Sequence, residues 1–332
     1  MQDHFSLVEH GIRRYGRFAT RPATVNPLDE SSRTPRALRR LRLKEWIGFT
    51  LIHPELFSSL IMQDANFLAS SETYAYDRAR RALYQHAANA RGGSLRLPTE
   101  LPDAKPMFAK PGYLLRYDFA AGPGRHRLRI DIAATDKAPA FSGELELYAD
   151  RASEPLSVSS RLPGGKMYTH KALYPAEGVL RVGDAEFVFD PSRDLAILDE
   201  HKSFFPYRTT WLWGTFGTQV DGGPLGANLV ARPEVPGEQE ESCVWSPGAC
   251  EPLADIVFEQ RKPADPLSSW HVTSRDRRLD VTFEPEGRKD VKHQLGVFAI
   301  DYFQLFGHYD GTVAGHPVDG AHGVCESFRA RL

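Results

Sequence analysis

LDEHKSFFPYRTTWLWGTFGTQVDGGPLGANLV, residues 198–230, is the stretch whose reading decides the fold. From Tyr207 onward the residues alternate. Tyr207, Thr209, Trp211, Trp213 and Thr215 fall on one side of an extended chain, and Arg208, Thr210, Leu212, Gly214 and Phe216 on the other. A period of two belongs to a strand. Asp221-Gly222-Gly223-Pro224 reads as a turn and residues 225–230 as the returning strand, with Asn228 pointing across it. Ahead of this hairpin stand four consecutive ionisable residues, Asp199, Glu200, His201 and Lys202, and then the aromatic corner Phe204-Phe205-Pro206-Tyr207. Few surface hairpins place a charge cluster and two tryptophans so close together, which makes this stretch the first candidate for a site.

Outward from it the strand pattern recurs on both sides. Before it lie residues 47–52, 57–68, 73–77, 113–119, 126–132 and 143–148; the last, GELELY, sets acids against leucines as a half-buried antiparallel strand does. Residues 178–183 read as a tight hairpin. After it come 256–259, 270–273, 279–283, 298–308 and 323–329. With 27 Gly and 24 Pro in 332 residues, turns are plentiful, and no long helical period alternates with the strands. That pattern argues for an all-β chain and against a parallel α/β sheet. The simplest partition is an irregular lead-in over 1–42 that packs across a barrel mouth, one β half over 43–198 and a second over 199–332. Residues 34–46, TPRALRRLRLKEW, fit either a helix opened by Thr34 and Pro35 or an alternating strand.

Composition narrows the partners. A net charge of -2 offers no overall field for nucleic acid or an anionic membrane, and no apolar run is long enough for stable membrane insertion. Cys243, Cys250 and Cys325 match neither a redox CxxC nor a zinc motif, so a reduced, cytoplasmic protein is expected. A homodimer is compatible with these features.

The chemistry available is that of proton transfer. Gly164-Gly165 and Gly222-Gly223 are turns rather than phosphate-binding loops, and no GxSxG elbow is present, so no cofactor is expected. Asp199 and His201, two apart on a strand, would face one way and could share a metal with His170. The plainer reading is a charge-balanced junction in which Lys202 and Arg208 neutralise Asp199 and Glu200, and no metal is expected. An imidazole is the side chain suited to acid–base work near neutral pH, so His201 would serve as an acid or base tuned by Asp199 or Glu200. Asp221, set beside an aromatic wall, would serve as a proton donor, and its plainer reading is a turn residue. Tyr207 and Asn228 would hydrogen-bond a carbonyl or hydroxyl, and Trp211 and Trp213 would supply apolar walls or face a cationic intermediate. Arg208 reads as a clamp at the junction. Tyr168 and His170 share a strand face after the Gly164-Gly165 turn.

The runs YTHK (168–171), LDEHKSFFPYRTTWLW (198–213) and DGGPLGANL (221–229) resemble a bacterial family known as domain of unknown function 2804. RLKEW near the start and the closing YFQLFGHYDGTVAG and HGVCESF segments fit it too, so the resemblance covers about residue 43 to the end. That family is distantly similar to two-domain lipocalin-like proteins that include carotenoid 1,2-hydratase and pericyclases. The resemblance implies two lipocalin-like antiparallel β-barrels with an apolar pocket, and adds Tyr168, His170 and Lys171 to the ligand-binding set. The expected activity is a cofactor-independent lyase, isomerase or cyclase acting on a hydrophobic small molecule; a non-catalytic carrier of such a molecule is the alternative.

Overall fold

The alternation seen at 207–216 runs through most of the chain. In the computed structural model, which describes residues 5–296 and 298–331, it produces two curled antiparallel half-barrel sheets. The fold is nearly all-β and lipocalin-like. The first sheet runs from Ala82–Arg91 through Leu68–Asp77, Leu56–Asp64, Lys44–His53 and Leu195–Ser203 to Gly165–Val182. It then continues through Phe141–Tyr148, Arg125–Ile132 and Tyr113–Asp118 to Met107–Lys110. Its concave side is filled with Phe49, Leu51, Leu115, Tyr117, Phe141, Leu145 and Phe189. Leu145 and Leu147 of GELELY point into this core while Glu144 is exposed.

Residues 178–183 form one arm and the turn of a tight hairpin rather than a whole one: Gly178–Val182 pairs with Ala185–Phe189 across Gly183 (φ +63°). Gly165–Val182 is one long strand that bends and changes partners. Its first half lies between Leu156–Leu162 and Leu195–Ser203, and its second between Phe141–Tyr148 and Ala185–Phe189. Gly178, at φ +134°, sits at the bend, where a Cβ would come within 2.3 Å of the Glu144 carbonyl oxygen. Only glycine meets both demands.

The stretch 34–46 satisfies both readings in turn: Arg36–Arg42 is a short helix with no buried residue, and Lys44–His53 is a strand. The lead-in before it is more ordered than its sequence suggests. Gly16–Arg17 pairs with Leu156–Leu162, and buried Arg13 donates to the Met167 carbonyl (2.7 Å) and to Ser159 Oγ (3.1 Å).

The second sheet is ordered Ala249–Pro252, Cys243–Ser246, Gly223–Ala231, Arg208–Val220, His316–Arg331, Phe298–Val313, Leu279–Leu295, Trp270–Thr273 and Val257–Gln260. Its own core holds Phe216, Leu225, Leu229, Val281, Phe283, Leu305 and Tyr309. Because Leu195–Ser203 lies wholly in the first sheet, the chain crosses between sheets at 204–207, a few residues beyond position 199. The sheets pack through Ile52, Phe57, Tyr74, Tyr76, Leu173 and Ile197 on one side and Trp245, Phe306 and Val324 on the other. Arg78–Glu286 and Lys289–Glu72, each 2.6 Å, tie the same seam. Among the described residues no helix is long and apolar enough to cross a membrane.

Candidate functional site between the two sheets

The Leu195–Ser203 strand is central in the first sheet, so both of its sides are covered. Register aligns Lys171 with Asp199 and Gly48, and Thr169 with His201 and Trp46. These residues share the side turned toward the second sheet. The alternate set, His170, Glu200 and Ile47, points into the first sheet's interior.

On the outer side, Lys171 Nζ lies 2.8 Å from Asp199 Oδ1 and 3.9 Å from Glu241 Oε2. His201 Nε2 is 3.5 Å from Asp199 Oδ1 and 3.6 Å from Glu241 Oε2. Arg232 is ion-paired to the other oxygen of Glu241. The Trp46 indole stacks on the His201 ring at 4.2 Å and donates to Asp199 Oδ2 at 3.0 Å. Trp213 donates to Asn228 Oδ1 (2.8 Å), while Asn228 donates to the Glu241 backbone carbonyl (2.7 Å) and Lys171 Nζ rests 4.7 Å over the Trp213 ring. Burial opposes charge on Asp199 and Glu241, but their cationic partners outweigh it. Lys171 and His201, with the Trp46 hydrogen bond, hold Asp199 below its ordinary value, and Arg232, His201 and Lys171 hold Glu241 well below its own. Both are carboxylates at neutral pH.

The second sheet faces this cluster with a carboxyl of opposite character. Glu326 accepts from Trp211 Nε1 (2.9 Å), Tyr302 Oη (2.9 Å) and Gln304 Nε2 (2.8 Å). Burial dominates those three donors, the Asp199 charge adds to it, and the Glu326 pKa is raised. The two carboxyls are linked by aromatic rings. Trp46, which holds Asp199, stacks on Phe205 at 5.8 Å; Trp211, which holds Glu326, meets Phe205 at 5.6 Å and Phe328 at 4.0 Å. His201 Nδ1, Glu241 Oε2 and Gln304 Oε1 are buried with no hydrogen-bond partner among the described residues.

The inward side is built differently. Arg21 makes a bidentate pair with Glu200, both contacts 2.7 Å, and outweighs the burial that would otherwise raise the Glu200 pKa. Lys202 pairs with Glu45 at 2.6 Å. His170 and Tyr168 also belong to this side. Burial pushes the His170 imidazole down to about 4, and Tyr168 bonds to Ser157 at 3.1 Å.

The structure therefore sorts the expected residues into three places. Asp199, His201, Lys171, Trp211, Trp213 and Asn228 gather at the seam, with Asn228 holding other residues rather than facing open space. Glu200, His170 and Tyr168 lie across the strand from them, because neighbours in a strand face opposite ways; a metal shared by Asp199, His201 and His170 is ruled out on that geometry. Among the described residues no three His, Cys, Asp or Glu side chains are grouped as a metal site. Asp221 and Arg208 are elsewhere. Asp221 is exposed at the tip of the hairpin before Gly222 (φ +94°) and Gly223 (φ +139°), far down the Arg208–Val220 strand from the tryptophans, so no aromatic wall desolvates it. Arg208 is exposed and does not clamp the junction; Arg21 and Lys171 do the neutralising expected of Arg208 and Lys202. Tyr207 is 47% exposed just outside the strand.

Several members were not anticipated. Trp46, Tyr302, Gln304 and Glu326 lie within RLKEW, YFQLFGHYDGTVAG and HGVCESF, and an acid alternating with Val324 and Phe328 was the available signal for Glu326. Glu241 and Arg232 flank a loop and carry no pattern. Arg17 holds that loop through the Glu240 and Ser242 carbonyls, both 3.0 Å away.

The chain belongs to the family described as domain of unknown function 2804 (DUF2804), whose profile matches residues 8–332 and so includes the lead-in strap. No curated protein matches it. Among solved structures it is similar to CghA, at 12% identity and a TM-score of 0.58, covering 99% of this chain and 97% of that one. It is also similar to kievitone hydratase from Nectria haematococca, at 10% identity and a TM-score of 0.52, covering 94% and 97%. These likenesses establish the shared fold.

Proposed function

We propose that the protein is an enzyme that moves protons on a hydrophobic small molecule at the seam between its sheets, using its own side chains. The carrying observation is the pair of carboxyls with opposite tuning: Glu326, with a raised pKa and no ion-pair partner among the described residues, facing the ionised Asp199–Lys171–His201–Glu241 group. Two titratable groups whose surroundings push them apart are suited to act as acid and base. In this reading Glu326 donates a proton to an olefin, enol or carbonyl carbon framework. His201 is held by two carboxylates at Nε2, leaving buried Nδ1 as the atom that accepts a proton from substrate or water. Trp46, Phe205, Trp211 and Phe328 supply walls whose π faces favour a developing cation. Hydration, isomerisation and cyclisation all use these steps, and the hydratase named among the fold's relatives agrees with this class. The filled concave sides of both sheets support the seam, rather than a barrel lumen, as the place of reaction.

The test is deuterium incorporation. The protein is incubated in D2O with a panel of terpenoid and polyketide-type olefins and enones, and labelling is read by mass spectrometry. Glu326→Gln should slow labelling of any accepted compound by about 10²–10⁴-fold, the range of a general acid, while ligand-induced quenching of tryptophan fluorescence persists. Compounds that bind with no labelling by the wild type would turn the reading to a carrier.

A further inference from the structure

The helix Arg36–Arg42 is built inside out. Its sequence, RALRRLR, buries nothing, although a surface helix ordinarily turns its apolar stripe to the core. Here the arginines make the contacts with the protein. Arg36 donates to Asp29 and to the Leu28 carbonyl, Arg39 to the Leu28 and Glu30 carbonyls, and Arg40 to Asn66 Oδ1, all at 2.6–3.1 Å. Leu38 and Leu41, three apart and so on one face, are left to solvent. Beside them, the turn between Leu56–Asp64 and Leu68–Asp77 presents Phe67 and Leu68. All four side chains are 45–55% exposed. Lys44 joins the two parts: its Nζ donates to the Leu41 carbonyl at 3.0 Å and lies 5.0 Å over the Phe67 ring.

Positive charge rings this patch. Among the described residues Arg33, Arg39, Arg40, Arg42 and Lys44 have no ion pair, whereas Arg36 meets Asp29 at 2.6 Å. Burial, and then the Arg42 charge, push Lys44 down to about 8, the sign expected where cations gather with no carboxylate to balance them. The whole chain carries -2, so this field is local. The patch also lies at the outer end of the seam. Lys44 and Trp46 fall on the side of Lys44–His53 that sets Gly48 against Asp199. Leu68 falls on the side of Leu68–Asp77 from which Glu72 reaches Lys289 of the second sheet. Arg42 donates to the carbonyl of Phe205 (3.4 Å), whose ring meets both Trp46 and Trp211.

We propose that this corner is a docking surface for an anionic lipid bilayer. Leu38, Leu41, Phe67 and Leu68 enter the boundary between headgroups and acyl chains, and the surrounding arginines and Lys44 meet the lipid phosphates and carboxylates. Four side chains fall short of a stable protein interface, which takes about 800 Å² from each partner. A bilayer sets no such threshold, since each apolar side chain and each nearby cation adds to the binding separately. Docking is peripheral and needs no spanning segment. It holds the open end of the seam against the phase in which a hydrophobic molecule dissolves. That delivery rests on the proposed function above; the docking surface does not.

Co-sedimentation of the full chain with vesicles is the test. Phosphatidylcholine vesicles containing about one-third phosphatidylserine should bind at least about tenfold more tightly than pure phosphatidylcholine, and salt should shrink the difference. Leu38→Ser/Leu41→Ser should weaken binding to the acidic vesicles by at least about tenfold, with the melting temperature unchanged because both leucines are exposed. Leu68→Ser, outside the helix, should weaken it by about threefold or more, which covers a double variant whose helix comes apart. A wild type that docks but labels no compound supports the docking surface and counts against the catalytic reading alone. Labelling without docking counts against the docking surface alone. Equal binding to neutral and acidic vesicles, or binding that survives Leu38→Ser/Leu41→Ser, would overturn the proposal. So would a dimer in sedimentation velocity that the same double substitution dissolves, which would give the face to a second copy of the chain.

Discussion

The two sides of the strand Leu195–Ser203 solve the same problem, buried charge, in opposite ways. Inward, each charge has a dedicated partner: Glu200 with Arg21 and Lys202 with Glu45. Outward, Asp199 and Glu241 share Lys171 and His201 at 2.8–3.9 Å, and polar atoms of His201 and Glu241 have no hydrogen-bond partner among the described residues. A buried ion costs several kcal/mol unless its hydrogen bonds are complete. Closed pairs therefore act as staples, whereas a shared group with open valences keeps the capacity to bind or exchange a proton. Position in the strand alone does not distinguish them, since Asp199 and Glu200 are adjacent.

The largest expected effect breaks a closed pair. Arg21→Ala should cost about 3–5 kcal/mol, because Glu200 would remain buried and uncompensated, and Arg21→Met/Glu200→Leu should recover most of it. Urea midpoints at constant slope would read both. A double variant as unstable as the single would mean that the strap, not the charge pair, is what matters. On the outer side Lys171→Met should cost less, about 1–3 kcal/mol, since Asp199 keeps Trp46 and His201. Should Lys171→Met prove costlier than Arg21→Ala, the contrast between the two sides fails.

Acid pH sharpens the same comparison. Asp199, Glu200 and Glu241 have folded pKa values below their ordinary 3.8, 4.5 and 4.5. In the window below those values the unfolded chain binds more protons, so stability present at neutral pH is lost as pH falls. Glu326 has the opposite sign. Its folded pKa lies above 4.5, so the folded state binds the extra proton and stability declines as pH rises from 4.5 through the folded value. Melting curves of Glu200→Gln should show a shallower acid slope, and those of Glu326→Gln should lose the decline on the alkaline side. The smallest effect belongs to the exposed surface: Arg208→Gln should change stability by no more than about 0.5 kcal/mol at moderate salt. A larger loss in thermal melts would make Arg208 a structural clamp.

What the sequence determined by itself was local and periodic. Alternation at 207–216, the turn at 221–224 and GELELY were enough for an all-β chain, and the shared face of Asp199 and His201 followed from a period of two. The two glycines of residues 178–183 do different work: Gly183 turns the chain back onto Ala185–Phe189, whereas Gly178 permits a bend in one long strand, and alternation alone does not tell them apart. Asp221 is close to Trp213 along the chain but not in space, because an extended strand carries the chain away by about 3.4 Å per residue. The partners of His201 come from residues 46, 199 and 241, and Glu326 faces them from the second sheet. Curling and stacking of the sheets bring these side chains together, and the same stacking removes the water that would otherwise level their pKa values. Which carboxyl keeps its proton is thus a property of the tertiary structure, set by burial and by the cations each one meets.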